Sequence, residues 1–270
     1  MKIIYTKDKE FKTEFENILK RAKSDIKGVS KIVENIIDEI VEDGNEALKR
    51  HIEKFDKWIV KSDDELLISQ KDMKKAYDNL DENLKKSLHT AYERIKAYHE
   101  KQLPKSWIDF EENGTILGQK VTAVDRAGLY IPGGKAAYPS SLLMNAIPAK
   151  VAGVKEIVVC TPTPNNEVNE LLLAACHLCG VSKVYKVGGA SAIAAMAYGT
   201  KTIPKVDVIT GPGNIFVATA KKMVFGEVNI DMIAGPSEIG ILADESAKAN
   251  YIAIDLLSQA EHDEMASSIL

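Results

Sequence analysis

No run of this chain approaches the roughly 20 consecutive apolar residues that a membrane-spanning helix needs, so an integral membrane helix is excluded. The start, Met1-Lys2-Ile3-Ile4-Tyr5-Thr6-Lys7, lacks the apolar centre of a secretory signal, and the cytoplasm is the expected compartment. Cysteine is scarce: Cys160, Cys176 and Cys179 form an odd set, which argues against a disulfide framework and for a reducing environment. Charge of one sign is nowhere massed. Lys and Arg total 35 against 39 Asp and Glu, a net charge of −4, and the basic residues are scattered along amphipathic segments. Neither nucleic acid nor a membrane surface is therefore an expected partner. The dinucleotide fingerprint G-x-G-x-x-G is also missing.

What is present suits a globular protein. A length of 270 residues with 45% hydrophobic content supports one large domain or two ordinary ones. The first hundred residues read mainly as helix. Ile32, Val33, Ile36, Ile37, Ile40 and Val41 recur at helical spacing and stop at Gly44, and Leu48, Ile52 and Phe55 continue the pattern. A longer helix is expected from about Asp81 to Gln102, with Leu84, Leu88, Ala91, Ile95 and Tyr98 inward and Pro104 closing it. His51, His89 and His99 lie in these helices without acidic or thiol partners at ligand spacing, and read as structural or surface histidines. Cys176-His177-Leu178-Cys179 is a C-x-x-C inside an apolar helical run with no second cysteine pair, which reads as buried structural thiols.

Between Thr115 and Pro139 glycines punctuate short strand-like runs, and a boundary falls near Ala127. Beyond it strands and helices alternate. Glu156–Cys160, Lys183–Val187 and Val206–Thr210 are strand-like, and each leads into a helix, the last two through Gly188-Gly189 and Gly211-Pro212-Gly213-Asn214. Such alternation predicts a parallel sheet covered on both faces, with ligands beyond the carboxyl ends of the strands. The glycine turns fall at those ends and free backbone N–H groups near helix N-termini, suited to a phosphate or another anion. Tight βα turns alone would also use glycine there.

Near the end, Ser246 is a plausible N-cap for a helix that carries Gln259 and His262 three residues apart on one face. An imidazole nitrogen and an amide oxygen can both ligate a metal, but two donors are half of a four-coordinate zinc site. A solvated Gln beside a helix-terminal His is the alternative.

Taken in order, several segments resemble the histidinol dehydrogenase family over nearly the whole chain. They are Arg126-Ala127-Gly128-Leu129-Tyr130-Ile131-Pro132-Gly133-Gly134, Tyr138-Pro139-Ser140-Ser141 with Met144-Asn145-Ala146-Ile147-Pro148-Ala149, and Gly211-Pro212-Gly213-Asn214. Ile230-Asp231-Met232-Ile233-Ala234-Gly235-Pro236-Ser237-Glu238 and Leu256-Leu257-Ser258-Gln259-Ala260-Glu261-His262 complete the set. The resemblance implies an NAD-dependent, zinc-requiring oxidation of L-histidinol through L-histidinal to L-histidine, in a homodimer. It implies an α/β fold of two incomplete Rossmann-like domains with parallel sheets after a helical N-terminal segment. Residues 127–236 would form one domain; residues 1–126 with 237–270 would share the other, the C-terminal part of the family fold being absent. On matching positions Tyr130, Ser191 and Asn214 would bind NAD, Gln259 and His262 would hold zinc, and Ser237, Gln259 and His262 would meet the substrate.

The chain departs from the family pattern in two ways. Ser191 stands where the family carries Gln, a shorter donor toward NAD. The family's Glu-His acid/base pair and its remaining zinc ligands fall beyond Leu270, so the chain is expected to be an N-terminal fragment, inactive alone, with no catalytic residue of its own. Two alternatives remain: a related zinc and NAD dehydrogenase of another small alcohol such as a sulfonated diol, and a non-catalytic nucleotide-binding or dimerising relic.

Overall fold

The computed structural model describes residues 5–20, 26–133, 138–233, 238–261 and 266–270. The chain begins with α1 (Phe11–Lys20), α2 (Ile26–Asp43) and α3 (Asn45–Asp56). Gly44, with φ of +54°, turns α2 into α3 in the conformation glycine tolerates best. In α2 the residues Val29, Val33, Ile36, Ile37 and Ile40 are buried, whereas Ile32 and Val41 are exposed. At 3.6 residues per turn those two fall just outside the arc of about 100° that a core-facing helix buries.

A 3₁₀ turn (Asp63–Leu66) leads into β1 (Leu67–Ile68), then α4 (Gln70–Asp78) and α5 (Glu82–Glu100). The Ser69 hydroxyl caps α4 by accepting the Asp72 N–H at 3.1 Å, and Asp81 caps α5 through the N–H groups of Asn83 and Leu84. The expected inward row of α5 is only partly realised: Leu88 is buried, while Leu84 and Tyr98 are exposed. An antiparallel hairpin follows, β2 (Trp107–Phe110) and β3 (Ile116–Gln119), with Trp107 opposite Gln119 and Phe110 opposite Ile116.

The remaining elements alternate as expected: β4 (Arg126–Tyr130), α6 (Pro139–Val151), β5 (Glu156–Cys160), α7 (Glu170–Cys179), β6 (Lys183–Tyr185), α8 (Gly189–Tyr198), β7 (Val208–Thr210), α9 (Ile215–Val224) and β8 (Asn229–Ile230). They build one sheet of order β1-β6-β5-β4-β7-β8, parallel except for β1, which runs antiparallel to β6. The chain starts in the middle at β4, moves outward through β5 to β6, then crosses to the other side of β4 for β7 and β8. Counted from β4 this is the order 3-2-1-4-5, that of a Rossmann-type sheet, and the crossover lies between β4 and β7.

Alternation along the strands divides the interior into two cores. Leu129, Ile157 and Val159 face one with residues of α4, α5, α6 and α7; Tyr130, Val158 and Cys160 face the other with residues of α2, α3, α8 and α9. Residues 26–100 therefore take part in both cores of the sheet, and packing does not separate them from it at Ala127. A smaller unit follows, β9 (Glu238–Gly240), α10 (Ala249–Ala260) and β10 (Ser267–Ile269), in which β9 and β10 pair in parallel and α10 packs on both. Ser246 does not cap α10. Its N–H and its hydroxyl both donate to Asp244 Oδ1, at 2.9 and 2.6 Å, so a turn forms there and the helix starts behind Lys248. Among the described residues no helix is long and apolar enough to cross a membrane.

Candidate functional site at the carboxyl ends of the parallel strands

Chain segments approach closely beyond the carboxyl ends of β4, β5, β6 and β7. At the β7 end Gly211 has φ of +119°, and a Cβ there would stand 2.0 Å from the Tyr130 carbonyl oxygen. Only glycine fits both the backbone and the space. A Cβ on Gly188, in the turn from β6 to α8, would lie 2.4 Å from Cβ of Pro162. The glycines thus let the ends of β7 and β4, and those of β6 and β5, close on each other in pairs.

Tyr130, the last residue of β4, is 4% exposed, and its phenol oxygen accepts the Gly189 N–H at 3.2 Å. Burial pushes the phenol up to about 12, so it stays protonated at neutral pH and keeps a hydrogen to donate. Asn214 is exposed and caps α9: its Oδ1 accepts the N–H groups of Phe216 and Val217 at 3.1 and 3.2 Å, and its amide NH₂ is a donor group that the cap does not use. Nearby, the Oγ1 atoms of Thr161 and Thr210 are buried without a hydrogen-bond partner among the described residues. They stand one residue beyond β5 and at the end of β7, where a bound group could satisfy them.

Lys221 and Asp231 hold the β7 turn from below. Lys221, 4% exposed, donates to the Gly211 carbonyl at 3.0 Å and pairs with Asp231 Oδ1; Asp231 Oδ2 accepts the Gly211 N–H at 2.9 Å. Both backbone polar groups of Gly211 are therefore held by a half-buried ion pair. The sequence reading gave these two residues no role. A signal existed: Lys221 lies on the same helical stripe as Val217, Ala220 and Val224, all of which are buried.

Ser191 is placed differently from an open donor. It is 3% exposed in the first turn of α8, and its Oγ lies 2.8 Å from Nδ1 of His51, whose Nε2 lies 2.9 Å from Glu39 Oε2. Burial holds the His51 imidazole below its usual range against the opposing pull of Glu39, while the His51 hydrogen bond holds the Glu39 carboxyl low. His51, read from the sequence as structural, thus touches a candidate site residue from 140 positions away. Asp56, at the end of α3, accepts the Thr163 N–H at 3.0 Å, and burial raises its carboxyl.

Gln259 sits half-buried in α10, on the smaller unit. Ser237 and His262 lie outside the described residues. Among the described residues no group of three or more His, Cys, Asp or Glu could hold a metal ion. Cys160, Cys176 and Cys179 are free and buried, as the apolar run around the C-x-x-C implies.

The family model described as histidinol dehydrogenase matches residues 19–270. The histidinol dehydrogenase of Sulfurimonas denitrificans is 74% identical over 265 residues, covering 98% of this chain and 62% of that protein. That of Wolinella succinogenes is 70% identical over 261 residues, covering 97% and 60%. The crystal structure of histidinol dehydrogenase from Elizabethkingia anophelis superposes with a TM-score of 0.79 at 33% identity, covering 92% of this chain and 60% of that one. The chain spans about three-fifths of the length of these relatives.

Proposed function

Because the chain belongs to the histidinol dehydrogenase family, we propose that it supplies the dinucleotide-binding part of an NAD-dependent oxidation of L-histidinol through L-histidinal to L-histidine. The observation that carries this reading is the meeting of Tyr130, Gly211 and Asn214 at the crossover of a 3-2-1-4-5 sheet. In sheets of that order a dinucleotide lies across the crossover, at the carboxyl ends of the strands.

Bound NAD supplies the hydride acceptor for both oxidations. The chain's own residues shape its seat. The Lys221–Asp231 pair fixes Gly211 so that backbone rather than side chain lines the crossover. The Asn214 amide offers donors to phosphate or ribose oxygens.

Zinc belongs to the same proposal, with Gln259 and His262 as ligands and Ser237, Gln259 and His262 toward the substrate. Gln259 contributes one amide oxygen toward the four donors of a usual zinc site, so the described residues do not by themselves form that centre. A homodimer is also part of the proposal. It is supported by the β2–β3 hairpin, where Trp107, Ile108, Phe110, Ile116 and Leu117 are all exposed.

Calorimetric titration with NAD tests the reading. We expect saturable binding that weakens about 3- to 10-fold in Asn214→Ala, the loss of one hydrogen bond and part of the cap. An absence of NAD binding by the unsubstituted protein would refute it.

A further inference from the structure

The turn that opens α8 has little to fix it from within. Its N-cap is Gly188, which has no side chain to cap the helix, and Gly189 follows with φ of +63°. The first turn proper carries only Ala190, Ser191 and Ala192, all buried and small; the large buried side chains of α8, Ile193 and Met196, fix the helix further along. At the turn itself, polar anchors from outside add to that packing.

Two are present. From β4, the Tyr130 hydroxyl takes the Gly189 N–H. From the other side, Ser191 is joined to His51 on α3, and His51 to Glu39 on α2. The direction of this second chain follows from its ends. Glu39 is ionised, with Arg50 Nη2 3.6 Å away, and can only accept, so Nε2 of His51 carries the hydrogen. In the neutral imidazole Nδ1 is then the acceptor, and the Ser191 hydroxyl donates to it. Ser191 has thereby committed its only hydrogen inward, and it is 3% exposed.

We infer that Glu39 and His51 form a positioning relay that anchors Ser191 beneath the glycine turn, and that Ser191 acts on a ligand of that turn through the backbone of Gly188, Gly189 and Ala190 rather than by touching it. The identity of the ligand rests on the dinucleotide reading above; the relay itself does not. The structure assigns Glu39, His51 and Ser191 a joint role that ties α2 and α3 to the site edge of the sheet.

Two measurements on the purified protein and on Ser191→Ala, His51→Gln and the double variant test this. The first is backbone amide hydrogen exchange at Gly189 and Ala190 without ligand; the second is NAD affinity by calorimetry. The relay predicts faster exchange at both amides in each single variant. It also predicts NAD affinity reduced about 3- to 10-fold in each, with the double variant no weaker than the weaker single one, because both remove the same link. Ser191→Thr, which keeps the hydroxyl, should restore both readouts. Glu39→Gln serves as a milder break if His51→Gln does not fold. Unchanged amide exchange with additive losses of affinity would overturn the relay and make Ser191 a direct ligand contact. If the unsubstituted protein does not bind NAD, the dinucleotide reading fails, and the amide exchange alone decides the relay: acceleration supports it and unchanged exchange overturns it.

Discussion

Gly211 and its two anchors show how much a single position can constrain. Gly211→Ala would place a methyl 2.0 Å from the Tyr130 carbonyl oxygen on a backbone with φ of +119°, so the turn has to move. A loss of stability of about 2 kcal/mol or more in urea unfolding is expected, since the strain adds to the overlap. Lys221→Met would leave Asp231 without its cation. We expect about 2 kcal/mol of destabilisation, less than for a fully buried pair because Asp231 keeps 31% of its side-chain surface in solvent. Asp63 gives an acid-sensitive contact. Its bonds to Lys49 and Lys201 hold the carboxyl down at about 2, below the unfolded value near 4. The unfolded chain therefore takes up the proton first on acidification, and the contribution is present above about pH 4 and lost as pH falls toward 2. In Asp63→Asn, unfolding midpoints followed against pH should lose that part of the acid dependence.

At the scale of elements, helix starts are decided by which side chain wins the first free N–H groups. Asn214 wins them for α9, and Asn214→Ala should cost about 1 kcal/mol of stability apart from any effect on ligand. Before α10 the competition goes to Asp244, which binds Ser246 and moves the helix start two residues on, to the N-cap Lys248. Local pattern found α2, α3, α5, α8 and α9 and placed β5 at Glu156–Cys160 because apolar period and glycine or cap residues coincide there. It overstated the inward rows of α2 and α5, since period alone does not say how wide a face the neighbouring elements cover. The thiols follow from the same packing: burial raises Cys160 and Cys176 well above the usual range and Cys179 to about 12. A thiol-disulfide reagent at neutral pH should leave all three unmodified in the folded protein and label them once urea unfolds it.

For the whole molecule, the chain spans about three-fifths of the length of its relatives, and the part of the proposal that belongs to residues 1–270 is NAD binding, read by calorimetric titration. The exposed apolar hairpin predicts self-association, and Ile108→Lys should shift the mass in light scattering from dimer to monomer. The sequence by itself determined the alternation of strands and helices and the glycine turns at the strand ends, because each is written in neighbouring residues. Tertiary structure alone decided the strand order that puts β7 beside β4, the sharing of both cores by residues 26–100, and the contacts of Ser191 with His51 and of Gly211 with Lys221 and Asp231. Those depend on groups 10 to 140 positions apart, which only the closure of the sheet and the burial of its helices bring within hydrogen-bond reach.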